Sequence, residues 1–186
     1  MKCAVYGGSF NPPHIAHAMI ISWLLWSGRA EQVLIVPVFR HAFEGVHEKK
    51  LQPFDLRLAW AKSAFSQFQP HVEILDIERH LPSPSYTIDT LNVLQKKRPN
   101  DDLFLVLGAD SRSSLHAWKG WEEIESKFSP VFVGREGYSS DDLIVFPNIS
   151  STMIRAQLRK GIIPTDLIGK ALQDILTTKN PFLERE

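Results

Sequence analysis

The sequence predicts an α/β fold in which a mainly parallel sheet carries helices on both of its faces. Two observations lead to this fold class. Short apolar runs, each bounded by glycine, proline or charged residues, alternate along the chain with longer segments of helical periodicity. No internal repeat, low-complexity segment or Gly/Ser linker interrupts the 186 residues, so we expect a single domain over residues 1–186.

The apolar runs predict six strands, at residues 2–6, 32–37, 72–77, 103–107, 131–134 and 143–146. Helical patterns separate or follow them at residues 15–28, 54–68, 87–98, about 152–160 and 165–177. In the last of these segments, five apolar residues follow one helical face: Leu167, Ile168, Leu172, Ile175 and Leu176. The final pair of helices therefore closes the chain at its C-terminal end.

The loop after the first strand is the expected position of a ligand site. In parallel sheets of this kind, ligands bind outside the carboxyl ends of the strands, where the loop Gly7–His14 lies. Residues 38–53 form the longest stretch without clear periodicity. Loops of this length in a compact domain are often functional.

The composition excludes several classes of partner. Lys plus Arg and Asp plus Glu each number 21, and this balance argues against nucleic acid or a membrane surface as the main partner. Cys3 is the single cysteine, so no intrachain disulfide is possible. The longest apolar stretch, Ile15–Trp26, contains His17 and is shorter than the roughly 20 residues of a membrane span. We therefore expect a cytoplasmic protein.

The stretch "GGSFNPPHIAH", Gly7–His17, has the features of an anion site. Its glycine pair permits a sharp turn and a close approach of a ligand, and Pro12–Pro13 preset the start of a helix. The helix N-terminus favours negative charge, and His14 and His17 share one face of its first turn. A plain turn with incidental histidines is the alternative. A metal site is disfavoured because residues 1–30 contain no Asp or Glu.

A second stretch, "ISSTMIR" at Ile149–Arg155, supplies hydroxyl groups at another helix start, with Arg155 one turn later. Taken alone, it is typical of an N-cap with a solvated arginine. Combined with the first stretch, it gives a second helix N-terminus suited to phosphate. The chain has neither a P-loop nor a G-x-G-x-x-G after a strand, which disfavours a P-loop kinase and a dinucleotide dehydrogenase.

The two stretches together resemble the signature pair of the nucleotidyltransferase superfamily with the H-x-G-H motif. More narrowly, the chain resembles the bacterial nicotinate mononucleotide adenylyltransferases of NAD synthesis. "SYTIDTL" (85–91), "LGADS" (107–111), Trp118 and "FVGREGY" (132–138) extend the resemblance almost end to end. It implies a single Rossmann-like nucleotidyltransferase domain.

The chain departs from the family pattern at two places. Ala16 stands where the family has glycine before the second histidine, and its methyl group would crowd the adenine. The family's "PPHK" after the second strand is replaced by "VPVFRHAFEGVHEKK", in which Lys49 or Lys50 would substitute for the lysine. The second departure leaves the identity of the acceptor open.

The resemblance implies transfer of AMP from ATP to nicotinate mononucleotide with release of pyrophosphate. Mg²⁺ would be held mainly by phosphates, with no protein metal site, and an oligomer is possible. The acceptor phosphate is already anionic at neutral pH, because its second pKa is about 6, so no side-chain base is required. Two alternatives stay open: another acceptor, such as nicotinamide mononucleotide or phosphopantetheine, and a nucleotide-binding relative without turnover.

Site residues follow from the resemblance, position by position. The catalytic residues would be His14, His17 and Arg155. ATP would be bound by Gly7, Gly8, Ser9, Phe10, His14, His17, Lys50, Gly108, Asp110, Ser151, Thr152 and Arg155. The second substrate would be bound by Thr87, Trp118, Arg57 and Arg135. A core position for Trp118 and a solvated charge at Arg57 are the alternatives.

Overall fold

The computed structural model describes residues 1–40, 51–138 and 144–183. Its centre is a six-stranded parallel sheet in the order β3-β2-β1-β4-β5-β6. The strands are β1 Lys2–Gly8, β2 Gln32–Pro37, β3 Val72–Ile74, β4 Asp102–Gly108, β5 Val131–Arg135 and β6 Val145–Phe146. This order is that of a Rossmann-like fold, so the predicted fold class is confirmed.

Helices connect and flank the strands. They are α1 Ile15–Trp26, α2 Phe54–Phe65, α3 Thr87–Lys97, α4 Trp121–Phe128, α5 Ser151–Arg159 and α6 Lys170–Thr178. In the described part of the chain, three 3₁₀ segments accompany them, at Ser66–Phe68, Ile77–His80 and Ala109–Ala117. Among the described residues, no helix is long and apolar enough to cross a membrane. The single-domain extent over residues 1–186 and the cellular compartment stay predictions.

Alternation along the strands divides the core between the two faces of the sheet. In β1, Ala4 and Tyr6 pack with apolar residues of α1 and α2, whereas Cys3 and Val5 pack with those of α3 and α4. Successive side chains of a strand point to opposite faces, so every β1 residue from Cys3 to Tyr6 is buried. A third cluster joins Trp60 of α2 to the apolar faces of α5 and α6.

The structure corrects several predicted boundaries. Helix α4 was not predicted, because its eight residues are too few for a clear pattern and it starts directly after Gly120, whose φ is +67°. The 3₁₀ segment Ala109–Ala117 was also missed. The third strand ends at Ile74, since the next residues turn into a 3₁₀ segment, and the last helix begins at Lys170 instead of residue 165.

The sheet order places the ligand crevice between β1 and β4. From β1 the chain continues to β2 and β3 on one side of the sheet, then returns to place β4 on the other side. The loops after β1 and β4 therefore lead away from each other and leave a crevice at the carboxyl ends of these strands. The loop after Gly8 and the turn after Gly108 border this crevice.

Candidate functional site

Two adjoining cavities occupy the crevice. Both are lined by residues at the carboxyl ends of β1 and β4: Tyr6, Gly7, Ser9, Gly108 and Asp110. One, of about 400 Å³, extends to the N-terminus of α3 and is called the α3 cavity. The other, of about 290 Å³, extends to the N-terminus of α5 and is called the α5 cavity. Because they share a wall, two ligands bound there would lie next to each other.

The predicted site residues divide between these cavities. Those lining only the α5 cavity are Phe10, His14, His17, Arg135, Ser151, Thr152 and Arg155. Those lining only the α3 cavity are Gly8, Thr87 and Trp118. Residues from opposite ends of the chain thus meet in one crevice. Lys50, together with the alternative Lys49, lies outside the described residues.

His14 and His17 form a stacked pair on the wall of the α5 cavity. Their ring centroids are 3.7 Å apart, with an angle of 26° between the ring planes. The backbone N–H of His14 donates to Nδ1 of His17 at 3.1 Å. A neutral His17 therefore carries its proton on Nε2 and has one N–H group to donate.

Burial keeps both histidines neutral at pH 7. It lowers the pKa of His14 to about 3, and the positive charge of Arg135 acts in the same direction. The pKa of His17 also lies well below its usual value, first because of burial and then because of His14 and Arg135. Nδ1 of His14 is buried and has no hydrogen-bond partner among the described residues. The pair thus offers neutral N–H donors to an incoming anion.

Helix α5 is fastened directly to the loop after β1. Ser151 Oγ donates to the carbonyl of Pro12 at 2.9 Å, and Arg155 Nη1 donates to the carbonyl of Asn11 at 2.8 Å. Ser150 caps the helix by accepting from the Met153 N–H at 3.2 Å. These bonds bring the N-termini of α1 and α5 to the same cavity, where both helix dipoles favour negative charge.

Arg135 adds a cation at the end of β5. Its Nη1 lies 3.8 Å from Asp110 Oδ2, and its Nη2 donates to the carbonyl of Ile149 at 3.0 Å. Among the described residues, no group of three or more His, Cys, Asp or Glu side chains is placed to hold a metal ion. The cavity chemistry of N–H, hydroxyl and guanidinium donors suits a polyanion such as a phosphate chain.

Close packing at the site involves two glycines, Gly8 and Gly108, and an unusual backbone conformation at Phe10. A Cβ on Gly108 would lie 2.3 Å from Asp110 Oδ1, so any larger residue there would force that carboxylate to move. A Cβ on Gly8 would lie 3.1 Å from the ring of Phe10. Phe10 itself has a φ of +44°, a left-handed conformation that costs energy for a residue with a side chain. Its buried ring, 5.0 Å from that of His17, holds the loop in place.

Arg57 is placed differently from the sequence-based expectation. It is only 1% exposed, and it lines neither cavity. Its Nη1 and Nε donate to the carbonyls of Ser9 and Gln52, both at 2.8 Å, and burial lowers its pKa to about 10. The solvated-charge alternative is therefore wrong, and the predicted substrate contact finds no support in this geometry. Arg57 braces the loop after β1 from behind.

The α3 cavity has an aromatic wall and a helix N-terminus. Trp118 is half-buried and packs edge-on against Trp121, with ring centroids 6.2 Å apart, so one part of it lines the cavity and another part joins the core. Thr87 is the first residue of α3. Lys119 lies over the Tyr86 ring at 4.6 Å and pairs with Asp89 at 3.0 Å.

Sequence reasoning missed three charged residues of the α3 cavity: Arg40, Glu78 and Lys119. Glu78 is 7% exposed and accepts hydrogen bonds from residues on two sides of the cavity. None of the three belongs to a motif with fixed spacing. Only the sheet order would have indicated them, because it brings together the segments that follow β2, β3 and β4.

Comparisons with known proteins show the family to which the chain belongs. Residues 5–157 match the model of the cytidylyltransferase-like family. The "probable nicotinate-nucleotide adenylyltransferase" of Anaeromyxobacter sp. strain K is 36% identical over 167 residues, which are 86% of this chain and 85% of that protein. The protein of the same name from Aliarcobacter butzleri strain RM4018 is 32% identical over 90% of this chain and 93% of its own length.

Solved structures with the same fold include two of the Plasmodium falciparum nicotinic acid mononucleotide adenylyltransferase. The complex with NaAD has a TM-score of 0.78 at 19% identity and covers 97% of both chains. The complex with APC has a TM-score of 0.79 at 19% identity, covering 97% of this chain and 96% of that one. At this identity the likeness concerns the fold.

Proposed function

The chain belongs to the nicotinate-nucleotide adenylyltransferases of the cytidylyltransferase-like family, and we propose from this premise that it transfers AMP from ATP to nicotinate mononucleotide. The observation that carries the proposal is the pair of adjoining cavities, one lined by anion-binding groups and the other by an aromatic wall. A shared wall lets the acceptor and ATP meet at the carboxyl ends of β1 and β4.

The reaction needs positioning and charge neutralisation more than proton transfer. An oxygen of the acceptor phosphate attacks the α-phosphorus of ATP, a new P–O–P bond forms, and the bond to the β-phosphate breaks as pyrophosphate leaves. The acceptor phosphate is deprotonated at neutral pH, since its second pKa is about 6. Catalysis then rests on two effects. The site holds the two substrates in position, and its hydrogen-bond donors point at the negative charge that develops in the transition state.

We assign ATP to the α5 cavity. The Nε2–H of His17, together with His14, would donate to the phosphates near the reacting centre, because both rings are neutral donors there. Ser151, Thr152 and Arg155 would hold the phosphates that leave, at the N-terminus of α5. The backbone of the β1 loop, Gly8, Ser9 and Phe10, would surround the α-phosphate.

Asp110 and Gly108 fit the ribose of ATP. Asp110 lines both cavities, and a carboxylate in this position accepts hydrogen bonds from ribose hydroxyls in related sheets. Gly108 keeps the space beside it free. The nearby Arg135 partly balances the carboxylate, at a distance of 3.8 Å.

Mg²⁺ fits this site as an ion carried by the substrate. Because the α5 cavity is lined by cationic and N–H donors, the described residues favour the phosphates over the bare ion. His14, His17, Thr152 and Arg155 would hold the phosphate oxygens that bind the ion. When bound, Mg²⁺ supplies charge neutralisation on the phosphates.

We assign the acceptor to the α3 cavity. Trp118 offers a ring face for stacking, and Thr87 with the N-terminus of α3 offers donors to a ring carboxylate. An amide in place of that carboxylate would turn an NH₂ group towards these donors and leave them unpaired. The cost of one unpaired buried group is about 1–3 kcal/mol, which corresponds to roughly tenfold or more in kcat/KM.

Pyrophosphate release with ATP, Mg²⁺ and a panel of acceptors tests the proposal. We expect turnover with nicotinate mononucleotide and at least about tenfold lower kcat/KM with nicotinamide mononucleotide. Equal or reversed preference, or turnover with phosphopantetheine alone, would refute the acceptor assignment. No turnover with any acceptor would point to a nucleotide-binding protein without activity. The oligomeric state stays a prediction, to be measured on the same protein.

A further inference from the structure

The buried carboxylate of Glu78 lines the α3 cavity and has no role in the proposed reaction. Glu78 belongs to the 3₁₀ segment that follows β3, and it is 7% exposed. It lines the α3 cavity, so it lies beside the space that we assign to an anionic acceptor. A buried carboxylate at such a place must be neutralised by its own surroundings.

Three donors converge on this carboxylate from two segments of chain. The backbone N–H of Phe39, just after β2, donates to Oε2 at 2.9 Å. Ser85 Oγ, two residues before α3, donates to the same oxygen at 2.9 Å. Thr90 Oγ1, in the first turns of α3, lies 3.5 Å from Oε1. Both oxygens therefore have partners on the walls of the cavity.

The two segments are the walls that an acceptor would contact. The segment after β2 carries Arg40, which lines the cavity with no hydrogen bond or ion pair to a described residue. The segment before α3 carries Thr87, at the helix N-terminus. Neither segment is hydrogen-bonded to the other through the backbone in the described residues. Glu78 is the group that ties them together.

The charge of Glu78 is balanced from behind the cavity. Burial raises its pKa, while its three donors and the positive charge of Arg57 lower it. Arg57 also braces the loop after β1 through the Ser9 carbonyl. The arrangement directs the negative charge of Glu78 towards protein donors.

We propose that Glu78 is a positioning residue that fixes the two walls of the α3 cavity, the Phe39–Arg40 segment and the N-terminus of α3, at the spacing the acceptor requires. This inference rests on the proposed function, because it assumes that the acceptor occupies the α3 cavity. It assigns Glu78 no part in bond making or breaking. Its effect is on acceptor binding and leaves ATP binding in the α5 cavity unchanged.

Glu78→Gln is the decisive variant, because it keeps the size of the side chain but removes the negative charge and replaces one acceptor oxygen by an NH₂ group. We expect the KM for nicotinate mononucleotide to rise by about tenfold, because the charge-assisted hydrogen bonds to both walls are weakened, while the KM for ATP changes less than about twofold. Ser85→Ala removes a single donor and should raise the same KM by a smaller factor. The double variant should be less than additive, because both changes act on one bond.

Glu123→Gln is the matched control. Glu123, on α4, accepts from Asn92 of α3 and Lys127 of α4 but lines neither cavity, so both KM values should stay at the wild-type level. Melting temperatures of all variants are measured alongside, and if Glu78→Gln does not fold, Ser85→Ala decides.

The possible failures are distinguishable. Wild-type protein that shows no turnover with any acceptor overturns the proposed function, and this inference with it. Active wild-type protein with an unchanged acceptor KM in a folded Glu78→Gln variant overturns the role of Glu78 alone. A parallel rise in both KM values would show a general structural role and would also refute it.

Discussion

The α5 cavity and the α3 cavity differ in how the chain builds them. Most polar groups of the α5 cavity come from two short stretches, Gly7–His17 and Ile149–Arg155, each at the start of a helix. The α3 cavity draws its walls from segments after four different strands, β1 to β4. The α5 cavity suits phosphate, a group common to many substrates. In the α3 cavity, a substitution in one segment can alter one wall and leave the other walls unchanged. We infer that the α3 cavity sets acceptor specificity.

His17→Ala should produce the largest effect and should act on the α5 cavity alone. Loss of one donor aimed at developing charge lowers kcat by about 10²–10³-fold. Steady-state kinetics with ATP and nicotinate mononucleotide measure it. His71→Ala, at an exposed histidine outside both cavities, is the control. Near-normal turnover in His17→Ala would mean that the opening stretch is structural.

Trp118→Ala should act on the α3 cavity. Stacking of a base on an aromatic side chain is worth about 1–3 kcal/mol, so the acceptor KM should rise by about tenfold while the ATP KM is maintained. The control is Trp26→Ala, because Trp26 is 92% exposed and lines neither cavity. An equal rise for ATP would contradict the division of the crevice into two substrate sites.

The histidine pair predicts a pH dependence of stability. The pKa of His14 is about 3 in the folded protein, below its ordinary value, so the unfolded chain binds protons that the folded chain does not. Its contribution to stability is complete above about pH 6.5 and falls as the pH is lowered towards 3, by about 1 kcal/mol between pH 7 and 5.5. Denaturant unfolding at the two pH values measures this loss, and His14→Gln should reduce it. An unchanged pH dependence in that variant would locate the loss elsewhere.

Ala16→Gly should give the smallest effect. Ala16 is buried on the wall of the α5 cavity, so removal of its methyl group should leave kcat unchanged and leave ATP binding unchanged or tighter. The helix start loses up to about 1 kcal/mol, the cost of glycine in a helix. Calorimetric titration measures the binding of ATP, and a melting curve measures the loss of stability, so the two effects can be separated. Weaker ATP binding in a folded variant would show that alanine makes a useful contact.

The two cavities also show what sequence can predict. His14, His17, Ser151 and Arg155 were predicted as site residues because the two short stretches that contain them together resemble the signature pair of the nucleotidyltransferase superfamily. Their roles stay predictions. Glu78 and Lys119 could not be predicted, because what makes them important is the approach of segments distant in sequence.

The strands and helices show the same difference between what local sequence predicts and what depends on distant segments. The strands were predicted because buried parallel strands appear as continuous apolar runs, such as Val33–Val36. Helix α4 was missed because Trp121, Ile124 and Phe128 make only two turns, and their fit depends on the other residues of the core.

The bonds from α5 to the β1 loop have a consequence for the order of folding. Ser151–Pro12 and Arg155–Asn11 join residues that are 139 and 144 positions apart. Contacts at such separations carry a large loop-closure entropy and form slowly. During synthesis, the N-terminal half of the sheet can form its strand pairs β1–β2 and β2–β3 while α5 is still untranslated. The proposed phosphate-binding surface can therefore be completed only after Ser151–Arg159 have emerged from the ribosome, later than these strand pairs.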